Sequence, residues 1–129
     1  MAPVFAKPLV YIVDDDEAVR DSLHAYLTLK GMGVTVFSSA QELLDRDDIL
    51  LDILILDVNM PTIDGFMLLE KVRDRGHDIP VVLITGLGDL DTRARAERAG
   101  VAAVFDKPID SPVLFSALIG LLPKEQALV

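Results

Sequence analysis

The chain contains no cysteine. That excludes a disulfide framework and a thiolate metal site, and it fits a reducing compartment such as the cytoplasm. Positive charge is scarce. Twelve Lys and Arg face 21 Asp and Glu, for a net charge of -9. Such a surface repels phosphate backbones, so no direct nucleic-acid binding is expected. Long apolar runs are missing as well. The longest, from Val113 to Leu122, is broken by Ser116 and Gly120 and is too short to span a bilayer. The first residues carry Lys7 as their only cation and lack the apolar stretch of a secretory signal. No membrane association is expected. Internal repeats and low-complexity segments are also lacking. His24 and His77 do not have the paired spacing of a metal site.

What the chain does have is 129 residues, 51% of them hydrophobic and 26% charged, which predicts one ordered domain rather than disorder. The whole chain, 1–129, reads as that domain, with an ordered core over about 8–122 and a tail, or the start of a linker, over 123–129. Short apolar runs alternate with amphipathic segments. Strands are predicted at Leu9–Val13, Val34–Phe37, Ile53–Leu56, Val81–Ile84 and Ala102–Phe105. The first helix places Val19, Leu23, Tyr26 and Leu27 on one face and stops at Lys30-Gly31. Ser39 and Glu42 have capping-box spacing for a short helix. Another helix runs from about Gly65, a polar one spans Thr92–Ala99, and Ser111-Pro112 opens the last with proline at its first position. Strands apolar on both faces imply a parallel sheet covered by helices on each side. The alternation therefore predicts a doubly wound α/β domain.

In such sheets, ligands sit beyond the carboxyl ends of the strands. Asp14, Asp15 and Asp16 follow strand one, Asp57 ends strand three, Thr85 ends strand four, and Lys107-Pro108 comes just after strand five. Any one of these could be a turn former, helix cap or surface residue. Asp16 reads as a cap or solvated acid, and Asp52, before strand three, as exposed. The convergence at four strand ends is what carries information. Carboxylates this close repel one another, and a hard divalent cation such as Mg²⁺ removes the conflict, with Mn²⁺ as a second candidate. Asp57 is then placed to attack a phosphoryl donor as a carboxylate nucleophile. Thr85 and Lys107 would hold the remaining phosphoryl oxygens.

These stretches resemble the receiver domains of two-component response regulators, most closely the FixJ-type subfamily. The matching residues are Val13-Asp14-Asp15-Asp16-Glu17, Leu56-Asp57-Val58-Asn59-Met60-Pro61 with Asp64-Gly65, Ile84-Thr85-Gly86, and Phe105-Asp106-Lys107-Pro108. Gly86-Leu87-Gly88-Asp89 carries the subfamily likeness. The resemblance covers nearly the whole chain. It implies a flavodoxin-like fold with strand order 2-1-3-4-5 and five flanking helices. It implies that Asp57 is the phosphoacceptor. Mg²⁺ would be held by Asp14, Asp15, Asp57 and the backbone carbonyl of Asn59. Thr85 would be the switch hydroxyl and Lys107 the phosphate-binding lysine. A sensor histidine kinase would be the donor, and the only catalysis would be the domain's own phosphorylation and dephosphorylation. The likeness also makes Lys107-Pro108 a candidate cis bond, and Asn59 and Leu87 the positions that tune phosphate lifetime. Full-length members often carry a helix-turn-helix DNA-binding domain, so this chain is either a stand-alone receiver or part of a transcription regulator.

One departure stands out. Many receivers place Phe or Tyr three residues before the lysine, where this chain has Val104. Phe105, one position later, points to the opposite face of its strand and reads as core. The signal is then expected to travel through Thr85 and the Gly86–Asp91 loop. The last helix is apolar almost all round. Two readings stand: homodimerisation strengthened by phosphorylation, or cover by the tail or a further domain. Other functions fit the residues less well. An aspartyl phosphatase would need a second carboxylate where Asn59 stands, and a cap region. A flavin-binding domain would not place three aspartates where phosphate must sit. A phosphorylation-independent adaptor is the principal alternative.

Overall fold

The computed structural model describes residues 7–86 and 88–123. The elements alternate without exception: β1 (Leu9–Val13), α1 (Glu17–Leu29), β2 (Gly33–Phe37), α2 (Ala40–Leu44), β3 (Ile53–Asp57), α3 (Gly65–Asp74), β4 (Val81–Thr85), α4 (Leu90–Arg98), β5 (Ala103–Asp106) and α5 (Ser111–Leu121). The five strands form one parallel sheet in the order β2-β1-β3-β4-β5. This is the doubly wound architecture that the alternation predicts, with the flavodoxin-like strand order that the family resemblance implies. No helix among the described residues is long and apolar enough to cross a membrane.

The strand alternation divides the interior into two layers. Leu54 and Leu56 point into one core, with Leu43, Phe66, Leu69, Val72 and Ala96 from α2, α3 and α4. Ile53 and Ile55 point into the other, against Leu23 and Leu27 of α1 and Leu114 and Leu118 of α5. Every residue of β3 and β4 is buried, so both strands are apolar on both faces until their last positions, Asp57 and Thr85. Burying a Leu or Ile side chain stabilises by roughly 1.5–3 kcal/mol, and this is what obliges the polar strand ends to come along.

Helix starts follow the local chemistry. Asp16, Ser39, Asp64, Asp89 and Asp110 cap α1 to α5 in turn, each accepting a backbone N–H of the first turn. A cap of this kind contributes about 1 kcal/mol. Glu42 reaches back to the N–H of Ser38, 2.5 Å away, rather than to that of Ser39, so the capping box closes one residue early. Gly31, Gly76 and Gly100 follow α1, α3 and α4 with φ of 95°, 89° and 72°. They occupy the left-handed position where glycine carries no Cβ penalty.

Several local expectations change: β2 starts at Gly33 rather than Val34. α4 begins at Leu90 rather than Thr92, because Asp89 bonds the Thr92 N–H at 2.8 Å and starts the helix there. β3 and β4 extend one residue further to include Asp57 and Thr85, and β5 is shifted one residue to Ala103–Asp106. Asp52 is not simply a solvated acid: it is half-buried and accepts the Leu9 N–H at 2.8 Å, tying down the start of β1. Of the two readings of Asp16, cap or solvated acid, the structure shows the cap, with its side chain accepting the Ala18 and Val19 N–H groups. Phe105 packs with the α1/α5 layer while Val104 packs with the α2/α3/α4 layer, so the one-residue offset does place them on opposite faces.

Gly65 opens α3 directly against the strand that carries Asp57. A Cβ there would fall 2.5 Å from the Asp57 carbonyl oxygen and 3.0 Å from the Val58 Cα. Both neighbours are backbone and cannot turn aside. Gly65→Ala is therefore expected to destabilise by about 1–3 kcal/mol in a urea melt. Gly86→Ala, whose Cβ would meet nothing within 4 Å, should stay within about 0.5 kcal/mol of the parent chain.

Candidate functional site

Among the described residues, three polar or charged side chains are buried: Asp14, Asp57 and Thr85. All three lie at the carboxyl end of the sheet, where β1 leads out to β2 on one side and β3 lies on the other. This is the crevice that strand-order reversal opens in such folds. Asp57 and Thr85 are held there by the ladder, since Asp57 pairs with Ile84 and Thr85 with Asp106. The Lys107 N–H donates to the Thr85 carbonyl at 2.8 Å. This directs the lysine side chain into the crevice just after β5 ends. Lys107-Pro108 is a cis peptide.

The two buried carboxylates share one ammonium. Lys107 Nζ lies 3.1 Å from Asp14 Oδ2 and 3.4 Å from Asp57 Oδ2. Asp57 Oδ1 accepts the Asn59 N–H at 3.1 Å. The Asn59 side chain donates its Nδ2–H to Thr85 Oγ1 at 3.3 Å. Asp14 Oδ1 accepts the Asp16 N–H at 2.9 Å and a Lys107 Nζ–H at 3.3 Å, whereas the buried Asp14 Oδ2 has an ion-pair neighbour but no hydrogen-bond donor among the described residues.

One ammonium cannot neutralise this set. Burial drives the Asp57 carboxyl up from an ordinary 3.8 to about 6. The Asn59 N–H pulls it back, the Asp14 charge adds to the rise, and the Lys107 ammonium subtracts from it. For Lys107, burial pulls downward, but the bonds and charges of Asp14 and Asp57 outweigh it and the net shift is upward.

Asp15 completes the group. It is exposed, and one oxygen from each of Asp14, Asp15 and Asp57 can be chosen so that all three lie within 4.8 Å of one another. Three converging carboxylates, one of them carrying a buried oxygen with no hydrogen-bond donor among the described residues, are a donor set that suits a hard, oxygen-seeking cation. The residues thus fit Mg²⁺.

A profile of the response regulator receiver domain matches residues 10–119. The chain belongs to that family. The receiver domain is 35% identical over 102 residues to the transcriptional regulatory protein FixJ of Bradyrhizobium diazoefficiens, a match covering 78% of this chain and 50% of the relative. It is 37% identical over 111 residues to the response regulator protein TmoT of Ectopseudomonas mendocina, covering 85% and 50%. The receiver domain thus spans about half the length of these curated relatives. The crystal structure of FixJ-N superposes with a TM-score of 0.80 at 34% identity, over 96% of this chain and 98% of that one. The response regulator StyR superposes with a TM-score of 0.80 at 36% identity, over 91% and 60%. The FixJ-type likeness of the sequence is therefore confirmed. A phosphoryl-accepting receiver of a two-component regulator has its catalysis confined to its own phosphorylation and dephosphorylation.

The structure brings together Asp14, Asp15, Asp57, Thr85 and Lys107, and places Asn59 beside them. Leu87 lies outside the described residues. Two features were not anticipated from sequence. Arg20 donates from Nη1 to the Asp14 carbonyl at 2.8 Å. Its signal was local, a cation one turn into the helix that follows the acidic run. Arg93 pairs with Asp106 at 2.6 Å, joining α4 to the end of β5, and a Cβ on Gly88 would fall 1.8 Å from Asp106 Oδ1. No sequence signal marks that contact, because the three residues meet only when α4 packs beside β5.

The raised Asp57 carboxyl has a measurable consequence. Below about pH 3.8 the group is protonated whether the chain is folded or not, and it imposes no cost. As pH rises towards 6, the unfolded chain releases the proton first, so stability falls; above 6 the cost is constant. Asp57→Asn stays neutral throughout. In urea melts without divalent cations it should exceed the parent at pH 7.5 by on the order of 2 kcal/mol, with the gap closing by pH 4. Equal stabilities at pH 7.5 would show that Asp57 is not held against its charge.

Proposed function

We propose that Asp57 is the phosphoryl acceptor, that Asp14, Asp15 and Asp57 hold Mg²⁺ with the backbone carbonyl of Asn59 as a further ligand, and that Lys107 and Thr85 bind the phosphoryl oxygens. The observation that carries this reading is the burial of Asp14, Asp57 and Thr85 together at one end of an otherwise apolar sheet. A bound Mg²⁺ would supply positive charge to the carboxylates and to the incoming phosphoryl oxygens.

The protein's own groups do the rest. One Asp57 oxygen attacks phosphorus, the bond from phosphorus to the donor nitrogen breaks, and that nitrogen keeps the bonding electron pair. The Asn59 N–H fixes the Asp57 carboxylate at Oδ1, which steadies its attack geometry. The Lys107 ammonium, already 3.4 Å from Asp57 Oδ2, is positioned to follow the charge onto the phosphoryl group. The Thr85 hydroxyl, which accepts from Asn59 Nδ2, would turn to donate its proton to a phosphoryl oxygen, which would pull the end of β4 inward.

The donor is a phosphohistidine of a sensor histidine kinase, and the setting is the cytoplasm. A DNA-binding output domain in the full-length protein is supported by the likeness to FixJ, a transcriptional regulatory protein. Homodimerisation through the α5 region is supported by the apolar surface this helix leaves accessible: Val113, 53% exposed, and, on another side of the helix, half-buried Phe115 and Ile119. Light scattering should show a larger dimer fraction when a phosphoryl mimic is bound, and less of it in Val113→Asp; a monomer under both conditions rules the dimer out.

The central test is intact mass. With Mg²⁺ and a small phosphodonor, the chain should gain the mass of one phosphoryl group, and neither Asp57→Asn nor the parent in EDTA should do so. Absence of the gain where another receiver is labelled would favour the phosphorylation-independent adaptor.

A further inference from the structure

We propose that Arg20 is a positioning residue for the cation site: its guanidinium clamps the backbone that carries Asp14 and Asp15, and this clamp sets the site's affinity for Mg²⁺. The inference rests on the reading that these carboxylates bind the cation. Only three residues connect β1 to α1, and the ladder of β1 with both neighbours ends at Val13. Asp14 therefore lies just beyond it, and its carbonyl has left the sheet. Among the described residues, the hydrogen-bond donor to that carbonyl is Arg20 Nη1, at 2.8 Å. The bond is charge-assisted and half-buried, which puts it among the stronger kinds.

The same three residues are fastened at their other atoms. The Asp14 N–H donates to the Phe37 carbonyl at 3.1 Å, and the Arg20 N–H donates to the Asp16 carbonyl at 3.0 Å. Asp14 Oδ1 takes the Asp16 N–H, and Asp16 caps α1. Arg20 is thus tied to the loop by both its backbone and its side chain. Asp15 lies between these ties, and its carboxylate is the exposed member of the acidic trio. Without the guanidinium, the Asp14 carbonyl loses its donor, and a partly covered backbone acceptor without one is unfavourable. The loop can regain a partner only by turning that carbonyl toward water. Such a turn rotates the peptide joining Asp14 to Asp15 and moves the two carboxylates relative to Asp57.

Charge and position make opposite predictions, which is what makes the proposal testable. As a charge alone, Arg20 opposes a divalent cation nearby, so its removal should tighten Mg²⁺ binding. As a clamp, its removal should loosen it. Arg20→Met keeps the alkyl stem and removes both donors and charge; Arg20→Lys keeps the charge and one ammonium donor.

Calorimetric Mg²⁺ titration of the full chain should show Arg20→Met binding about 10-fold more weakly than the parent, in the range typical of groups that orient metal ligands. Arg20→Lys should recover part of the loss, and the cation-free melting of both variants should stay close to the parent's. Unchanged or tighter binding by Arg20→Met overturns the proposal. If the parent itself binds no Mg²⁺, the cation reading fails first and the clamp falls with it. Should Arg20→Met not fold, NMR of the Arg20 guanidinium in the parent decides: hindered rotation with resolved Nη protons supports the clamp, and a freely averaged signal overturns it.

Discussion

Two carboxylates buried against a single ammonium are the constraint on which this structure turns. Asp14, just beyond β1, and Asp57, the last residue of β3, sit at the ends of neighbouring central strands, and their side chains are withdrawn from water as completely as the leucines beneath them. Removing an ionised carboxylate from water is costly unless a partner and hydrogen bonds compensate. Lys107, the Asn59 N–H and the Asp16 N–H compensate in part. The remainder appears as a raised Asp57 carboxyl and as an Asp14 oxygen with no donor. A site left short of positive charge in this way is poised for a divalent cation.

The apolar layers hold the acids in place. Ile53 and Ile55 anchor β3 on the α1/α5 side, and Leu54 and Leu56 anchor it on the other. Asp57 cannot retreat from the crevice without dragging four buried side chains out of register. Thr85 is fixed the same way at the end of β4. The strain of burying charge is therefore borne by the packing of the whole sheet, and Gly65, pressed against the Asp57 carbonyl, marks how little room remains behind the site.

Around this rigid floor the connections are fastened by single polar contacts. Arg20 ties the β1–α1 turn, Asn59 reaches across to Thr85, and Arg93 bonds Asp106 beside Gly88. The Arg93–Asp106 pair is exposed on both sides, and exposed pairs contribute about 1 kcal/mol or less. Such a pair can be broken at little cost. With Val104 and Phe105 facing opposite layers, the surface over Thr85 is shaped by this ion pair and by α4, not by an aromatic ring at position 104.

The sequence by itself determined the order of elements, the parallel sheet and the identity of the residues that meet at its edge. Those follow from local physics: apolar runs of strand length, an Asp or Ser before each helix, glycine after three of them, and polar residues placed where each strand stops. Asp14, Asp15, Asp57, Thr85 and Lys107 were legible because a parallel sheet sends all its strand ends to one side. Tertiary structure alone decided how those residues share charge. That Lys107 serves both acids, that Asp52 ties the start of β1, that Arg20 clamps the Asp14 carbonyl and that Arg93 finds Asp106 all depend on distances between segments far apart in the chain or on the path of a loop. Side-chain reach and burial fix such contacts, and neither is encoded in a local pattern.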